Sequence, residues 1–179
     1  MANLGNEAGP RALYGGSFDP PTNGHVDIIE RTARIFPHVE VHVAVNPDKE
    51  PFFSAEKRLE LLEEITEPLG NVAVGHSSSG FLVEYARENG FTTLVRGLRT
   101  DRDFGDEMNL LKMNKLISPE EVDTIYIPCK PNYEAVSSSA IKQILATEDP
   151  RWKEIVAQIV PEQVLAAIIE RQAAIEPIA

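Results

Sequence analysis

The sequence predicts an α/β protein built on a five-stranded parallel sheet, and three observations carry that prediction. Short apolar, β-branched runs alternate with longer stretches of helical periodicity, which is the pattern of repeated βαβ units. The chain has 179 residues, enough for one domain with an adequate core. Hydrophobic residues make up 42% and charged residues 25%, a balance that separates it from disordered chains.

The first strand is expected over Arg11 to Tyr14, where the apolar run Ala12-Leu13-Tyr14 meets Gly15 and Gly16. A helix follows over His25 to Phe36, then a strand over Val39 to Val45. Ser54 is placed to cap a helix running to Glu67, with Glu56 in the first turn where the helix dipole favours an anion. The third strand, Val72 to Gly75, leads to a helix over Phe81 to Asn89, with Gly90 just past its end. Strands at Thr92 to Val95 and Thr124 to Pro128 enclose a helix over Asp103 to Ile117, and Ser138 to Ala146 forms the next helix. After Pro150 the pattern changes to two short amphipathic helices, Trp152 to Val160 and Glu162 to Arg171, joined at Pro161 and anchored by Trp152. Residues 1–10 are expected to be a disordered or artificially appended extension, and residues 11–179 a single domain.

Several classes of function are excluded. Cys129 is the single cysteine, so no intrachain disulfide forms, and no Cys/His cluster has the spacing of a structural zinc site. Met1 to Pro10 lacks a basic segment followed by an apolar one, and no stretch approaches the ~18 apolar residues of a membrane span. A cytoplasmic protein is expected. The net charge of −11 repels nucleic acid and anionic membrane, so neither is expected as a partner. An anionic ligand must then be held locally, by placed cations and backbone N–H groups.

The stretch "GGSFDPPTNGH", Gly15 to His25, is the first strand-to-helix turn. In open α/β sheets ligands sit beyond the carboxyl ends of the strands. Gly15 and Gly16 let backbone approach a ligand closely, and N–H groups opening the next helix can bind phosphate. Pro20 and Pro21 give the loop one shape. His25 is expected to point from the first helical turn into the anion pocket. The stretch is neither a Walker loop nor GxGxxG, and on its own it leaves a purely structural turn open.

Two further stretches reach the same edge. "LVRGLRTDRDF" ends the fourth strand, with Arg96 and Arg99 flanking an expected tight turn at Gly97 and Leu98 and offering two guanidinium forks to phosphate. "YEAVSSSAIK" follows the fifth strand, and its Ser137, Ser138 and Ser139 open a helix able to hold phosphate oxygens. A plain N-cap needs only one serine. Lys49, in "NPDKEP", is another cation on that edge.

Taken in order and spacing, "GGSFDPPTNGH", "NPDKEP", "VRGLR", "DFGDEMNLLKMN" and "SSSAIK" resemble the bacterial phosphopantetheine adenylyltransferases over Arg11 to Ala146. The T-x-G-H signature, Thr22 to His25, belongs to a wider nucleotidyltransferase superfamily, and "RGLR" with "SSSAIK" narrows it. The resemblance implies a Rossmann-like doubly wound five-stranded parallel sheet with C-terminal helices, assembled as a homohexamer. It implies an enzyme that joins ATP, with Mg²⁺, to 4′-phosphopantetheine, yielding dephospho-coenzyme A and pyrophosphate.

Carried over by position, the resemblance puts Ser17 and Phe18 against both substrates near the α-phosphate and gives His25 the stabilisation of that phosphate in the transition state. Lys49 and Arg96 hold the acceptor's phosphate, with Leu82 and Asn114 along the pantetheine arm. Gly97, Leu98, Arg99 and Glu107 face ATP, and Tyr133 with Ser137, Ser138 and Ser139 completes the adenine and triphosphate site. No protein metal ligand is implied, and His25, Lys49 and Arg99 carry the catalysis. The family's usual threonine is Ser17 here, its tyrosine Asp106 and its glutamine Asn109. Asp106 is expected to turn toward solvent or to pair with a cation, since an ionised carboxylate would repel a nearby phosphate.

Direct attack of a phosphate oxygen on the ATP α-phosphorus needs no protein nucleophile, so Cys129 is expected only to pack at a strand end. His38, His42 and His76 are expected to be structural or exposed, and "EKRLELLEEITE" to be a solvated helix face. Enzymes acting on nicotinamide mononucleotide are disfavoured by Thr22, which stands where they usually carry histidine, and cytidylyltransferases by their usual, different arginine-serine-threonine signature near the last helix. A non-catalytic nucleotide-binding module would not need His25, Lys49, Arg96 and Arg99 together.

Overall fold

A computed structural model describes residues 9–45, 50–77, 80–118 and 122–175, without side-chain detail at 101, 102 and 175. The expected extension therefore falls largely, and Lys49 wholly, outside the described residues. Five parallel strands form one sheet in the order β3-β2-β1-β4-β5: β1 Arg11–Gly16, β2 His38–Ala44, β3 Val72–Ser77, β4 Thr93–Leu98 and β5 Asp123–Pro128. Between them run α1 Asn23–Ile35, α2 Ala55–Thr66, α3 Leu82–Glu88 and α4 Asp101–Ile117. A 3₁₀ turn, Pro131–Tyr133, leads to α5 Ser138–Ala146, α6 Trp152–Val156 and α7 Glu162–Ile175. Among the described residues no helix is long and apolar enough to cross a membrane.

Sheet pairing carries two strands further than their apolar runs suggest. β1 runs on through Gly15 and Gly16, which pair with His42 and Val43. β4 runs on through Arg96, Gly97 and Leu98, opposite Tyr126, Ile127 and Pro128. The expected turn at Gly97 and Leu98 is thus strand, and Arg96 and Arg99 stand at its end rather than across a turn. α6 stops at Val156 instead of continuing to Val160.

Three apolar clusters hold the layers. One side of the sheet packs Val39, Val41 and Val43 with Ile28, Ile29 and Leu62. The other packs Leu13 and Leu94 against Val83, Ala86 and Phe91. The third joins α2, α5, α6 and α7 through Leu61, Ile141, Val156, Val164 and Ile168, with Trp152 half-buried against it. The helix read as a solvated face is only partly so, because Arg58, Leu61, Leu62 and Thr66 are buried. The C-terminal segment also reaches the first turn, where Asn23 N–H donates to the Ile159 carbonyl at 2.9 Å.

Candidate active site

The strand order reverses between β1 and β4, so their following helices leave toward opposite faces and open a crevice at the carboxyl ends. A cavity of about 410 Å³ lies there. β1 and its turn line it with Gly15, Gly16 and Ser17, α1 with His25, and β4 with Arg96, Gly97 and Arg99. α4 contributes Asp106 and Glu107, while Tyr133 and Ser137 to Ser139 close the far side. A side chain at Gly15 would meet Leu82, whose Cδ2 lies 2.3 Å from the Cβ position, so the bare strand end gives the Leu82 side chain of α3 the space it occupies.

α1 begins with a capping box in which histidine takes the place more often held by Glu or Gln. Thr22 Oγ1 accepts from the His25 N–H at 3.3 Å, and His25 Nδ1 accepts from the Thr22 N–H at 3.0 Å. Because Nδ1 acts as an acceptor, the hydrogen-bond pattern assigns the neutral ring's proton to Nε2. Burial, with the Arg99 charge adding to it, lowers the His25 pKa to about 4. At neutral pH the free protein thus presents a neutral Nε2–H donor. The Phe18 ring packs edge-on against the imidazole, 5.1 Å between centroids.

Arg96 is held in a fork. Its Nε and Nη2 donate to the two Glu107 oxygens at 2.7 and 2.6 Å, and Nη1 to the Gly15 carbonyl at 3.3 Å. Three of the guanidinium's five donors are used, which leaves two for an anion. Arg99 donates its backbone N–H and Nε to Asp103 Oδ2 at 3.0 and 3.2 Å, and its terminal nitrogens keep their donors. Ser137 caps α5 by accepting from the Ala140 N–H at 3.0 Å, and Ser138 Oγ donates to the Pro20 carbonyl at 2.8 Å. The exposed Ser139 hydroxyl has no such task, and the first N–H groups of α5 have no helical carbonyl to reach.

Not every expected residue reaches the cavity through its side chain. Phe18 is 0% exposed beneath the turn, at a φ of 47°, and does not line the cavity. Leu98 is half-buried in the sheet, and Leu82 and Asn114 are half-buried away from the lining. Arg96 and Glu107, read as belonging to different substrates, form one ion pair. Asp106 is exposed and lines the cavity rather than turning away from it. Cys129 lines the cavity with its thiol pKa raised by burial, which keeps it a poor nucleophile. His42 is fully buried between Glu40 and Ser77, at 2.8 and 2.9 Å, and has a structural role.

Sequence reasoning passed over the residues that brace the turn. Asp19 is buried, and its carboxylate accepts from the N–H groups of Phe53 and Phe52 at 2.7 and 2.8 Å and from Lys142 Nζ at 2.7 Å. It thereby ties the turn to the start of α2 and to α5. The buried Asp27 lies 2.5 Å from Lys130 Nζ and 3.3 Å from Arg31, which pins the segment leading to Tyr133. Arg58 donates to the Ser17 carbonyl at 2.8 Å. A signal for it was present: Arg58 lies three and four residues before Leu61 and Leu62, on the apolar stripe of its helix.

The cytidylyltransferase-like family matches residues 13–144. The phosphopantetheine adenylyltransferase of Alkaliphilus metalliredigens is 40% identical over 159 residues, covering 89% of this chain and 97% of its own. That of Shouchella clausii is 39% identical over 160 residues, covering 89% of this chain and 96% of its own. The structure of Plasmodium falciparum nicotinic acid mononucleotide adenylyltransferase complexed with NaAD matches with a TM-score of 0.63 at 15% identity, over 90% of this chain and 95% of that one. At that identity the likeness is one of fold.

Proposed function

The chain belongs to the cytidylyltransferase-like family, and within it to the phosphopantetheine adenylyltransferases; on that premise we propose that it joins ATP to 4′-phosphopantetheine, giving dephospho-coenzyme A and pyrophosphate. The observation that carries the reading is the convergence of His25, Arg96, Arg99 and the serine-opened α5 on one cavity at the sheet's switch point.

In this reading an oxygen of the acceptor phosphate attacks the α-phosphorus of ATP in line, and the bond to the leaving pyrophosphate breaks. No covalent enzyme intermediate forms, so positioning and charge stabilisation must supply the rate. His25 donates Nε2–H to the α-phosphate oxygen as charge gathers there. Arg96 and Lys49 hold the acceptor phosphate, while Arg99, Ser139 and the open N–H groups of α5 hold the triphosphate. Mg²⁺ arrives as part of the nucleotide substrate, carried by the phosphates.

A cytoplasmic location and a homohexamer belong to the same proposal. In support of self-association, α4 leaves Leu110, Met113 and Leu116 exposed, the last to 80%. Incubating the protein with Mg·ATP and either 4′-phosphopantetheine or nicotinate mononucleotide, and following pyrophosphate, tests the function. Release with the first acceptor alone is expected; release only with the second, or with neither, overturns it.

A further inference from the structure

The structural role of His42 does not exhaust its chemistry. β2 and β3 pair so that Glu40, His42 and Ala44 lie beside Ala73, Gly75 and Ser77 on one face of the sheet. α3 packs on that face, and its Tyr85 ring lies over the His42 imidazole with 4.2 Å between centroids. Glu40 Oε1 is 2.8 Å from His42 Nδ1, and His42 Nε2 is 2.9 Å from Ser77 Oγ. The Tyr85 hydroxyl donates to the same Glu40 oxygen at 2.9 Å. Four polar side chains thus form one hydrogen-bonded chain where apolar residues would pack more simply, and none of them lines the cavity at the switch point.

The hydrogen-bond pattern assigns the protons. An ionised carboxylate only accepts, so Nδ1 carries the ring proton and Nε2 is left to accept from the Ser77 hydroxyl. This is the opposite tautomer to that of His25. Burial, with the Glu40 charge adding to it, pushes the Tyr85 pKa up to about 12, so its hydroxyl keeps its proton and holds the carboxylate. A Cβ at position 75 would come 2.7 Å from Glu40 Oε1, so the bare Gly75 leaves the carboxylate the room it occupies. His42 is 0% exposed, whereas Ser77 is half-buried and its register partner on β2 is the small, exposed Ala44. The imidazole is therefore held dry and oriented, and the hydroxyl it faces can be approached from the Ala44 side.

We propose that Ser77, His42 and Glu40 are a second reactive site, comprising a nucleophile, its general base and the carboxylate that orients the base, which takes the acyl group of an unhindered carboxylic ester. Ser77 Oγ attacks the ester carbonyl carbon while its proton passes to His42 Nε2. The bond from that carbon to the alcohol oxygen breaks, and the departing oxygen takes the proton from Nε2. Water then attacks the acyl-serine with the same base, releasing the carboxylic acid and restoring the Ser77 hydroxyl. Ser77 and His42 touch the reacting atoms, whereas Glu40 and Tyr85 are positioning residues. A small acyl group is required because the Tyr85 ring covers the imidazole.

The full chain incubated with p-nitrophenyl acetate should release p-nitrophenolate in a burst approaching one equivalent per chain. Peptide mass spectrometry should place the acetyl group on Ser77, acquired about a hundredfold faster than on the exposed Ser139. Ser77→Ala should remove the burst, and folded Glu40→Gln should acetylate Ser77 at least tenfold more slowly than the parent. A serine that merely satisfies a structural histidine gains no reactivity. Acetylation of parental Ser77 within threefold of Ser139, a burst that survives Ser77→Ala, or a folded Glu40→Gln that reacts at the parental rate each overturns the proposal. If Glu40→Gln does not fold, the parent and Ser77→Ala decide. Pyrophosphate release does not enter the readout, so the result stands apart from the adenylyl-transfer reading.

Discussion

Replacing Asp19 by Asn should cost the fold about 3 kcal/mol, far more than exchanging one oxygen for an NH₂ suggests. Asp19 is 5% exposed, and its carboxylate takes the Phe53 N–H at 2.7 Å, the Phe52 N–H at 2.8 Å and the Lys142 ammonium at 2.7 Å. Hydrogen bonds to a charged group contribute about 1.5–3 kcal/mol each. The amide retains one backbone donor but turns its NH₂ on the other, leaving that N–H unsatisfied at a further cost of about 1–3 kcal/mol. Lys142 is 41% exposed, so its share is screened and amounts to at most about 1 kcal/mol. Against a total stability of roughly 5–15 kcal/mol, such a loss is large. Urea denaturation should show a lower midpoint at unchanged slope, and the melting temperature should fall by about 6–12 °C. Lys142→Met alone should lose less than about 1 kcal/mol. An Asp19→Asn variant within 1 kcal/mol of the parent would refute the clamp.

The folded chain resists protonating His25 down to a pKa of about 4, whereas the unfolded chain takes that proton near the ordinary value of 6.5. Parental stability should therefore rise with pH across that window, and His25→Asn should flatten the rise; equal slopes would cancel the assignment. In turnover, His25→Ala should lose roughly a hundredfold in kcat with a smaller change in Mg·ATP binding, and a parallel loss of both would mean a binding role only. Arg96→Ala should raise KM for 4′-phosphopantetheine more than for ATP, Arg99→Ala the reverse, and Glu107→Gln should reproduce part of the Arg96 effect by loosening its fork. Asp106→Tyr should lower the acceptor KM by removing a carboxylate from the cavity wall, and an unchanged or higher value shows that the acceptor does not pass Asp106.

Periodicity and turn chemistry made the architecture legible, because the central strands are apolar runs and α1, α2, α4 and α5 each start on a Thr or Ser cap. Strand ends were not legible. Gly15 to Gly16 and Arg96 to Leu98 are too polar or too small to look like core, and the ladder carries them into the sheet through pairing with neighbours distant in sequence. The same separation governs the site. His25, Arg96, Arg99 and the serines stand out because their chemistry points toward a ligand, and the cavity gathers them. Asp19, Asp27 and Arg58 act by holding backbone and lysines from other elements, and those partners lie anywhere from 33 to 123 residues away. Phe18 shows the converse, since a residue inside a signature is taken for a ligand contact although its ring is core.

The local pairing of charges explains how a chain of net charge −11 can hold two polyanions. Three cations at this edge come with a carboxylate: Arg96 with Glu107, Arg99 with Asp103, Lys142 with Asp19. The carboxylates fix the orientation of both guanidinium groups, Glu107 through two oxygens on Arg96 and Asp103 through Oδ2 on Arg99. Orientation then matters more than net charge, because the donors left over act only within hydrogen-bond distance: two on Arg96, the terminal nitrogens of Arg99, the first N–H groups of α5, and the neutral Nε2–H of His25. Such donors discriminate by shape and contribute little to long-range attraction. The bulk field of the protein meanwhile opposes the approach of a triphosphate, and it is screened over about 10 Å at 0.1 M salt. Moderate salt should consequently speed nucleotide capture by weakening that repulsion, while the short, oriented contacts that retain the nucleotide and direct its α-phosphorus are weakened less.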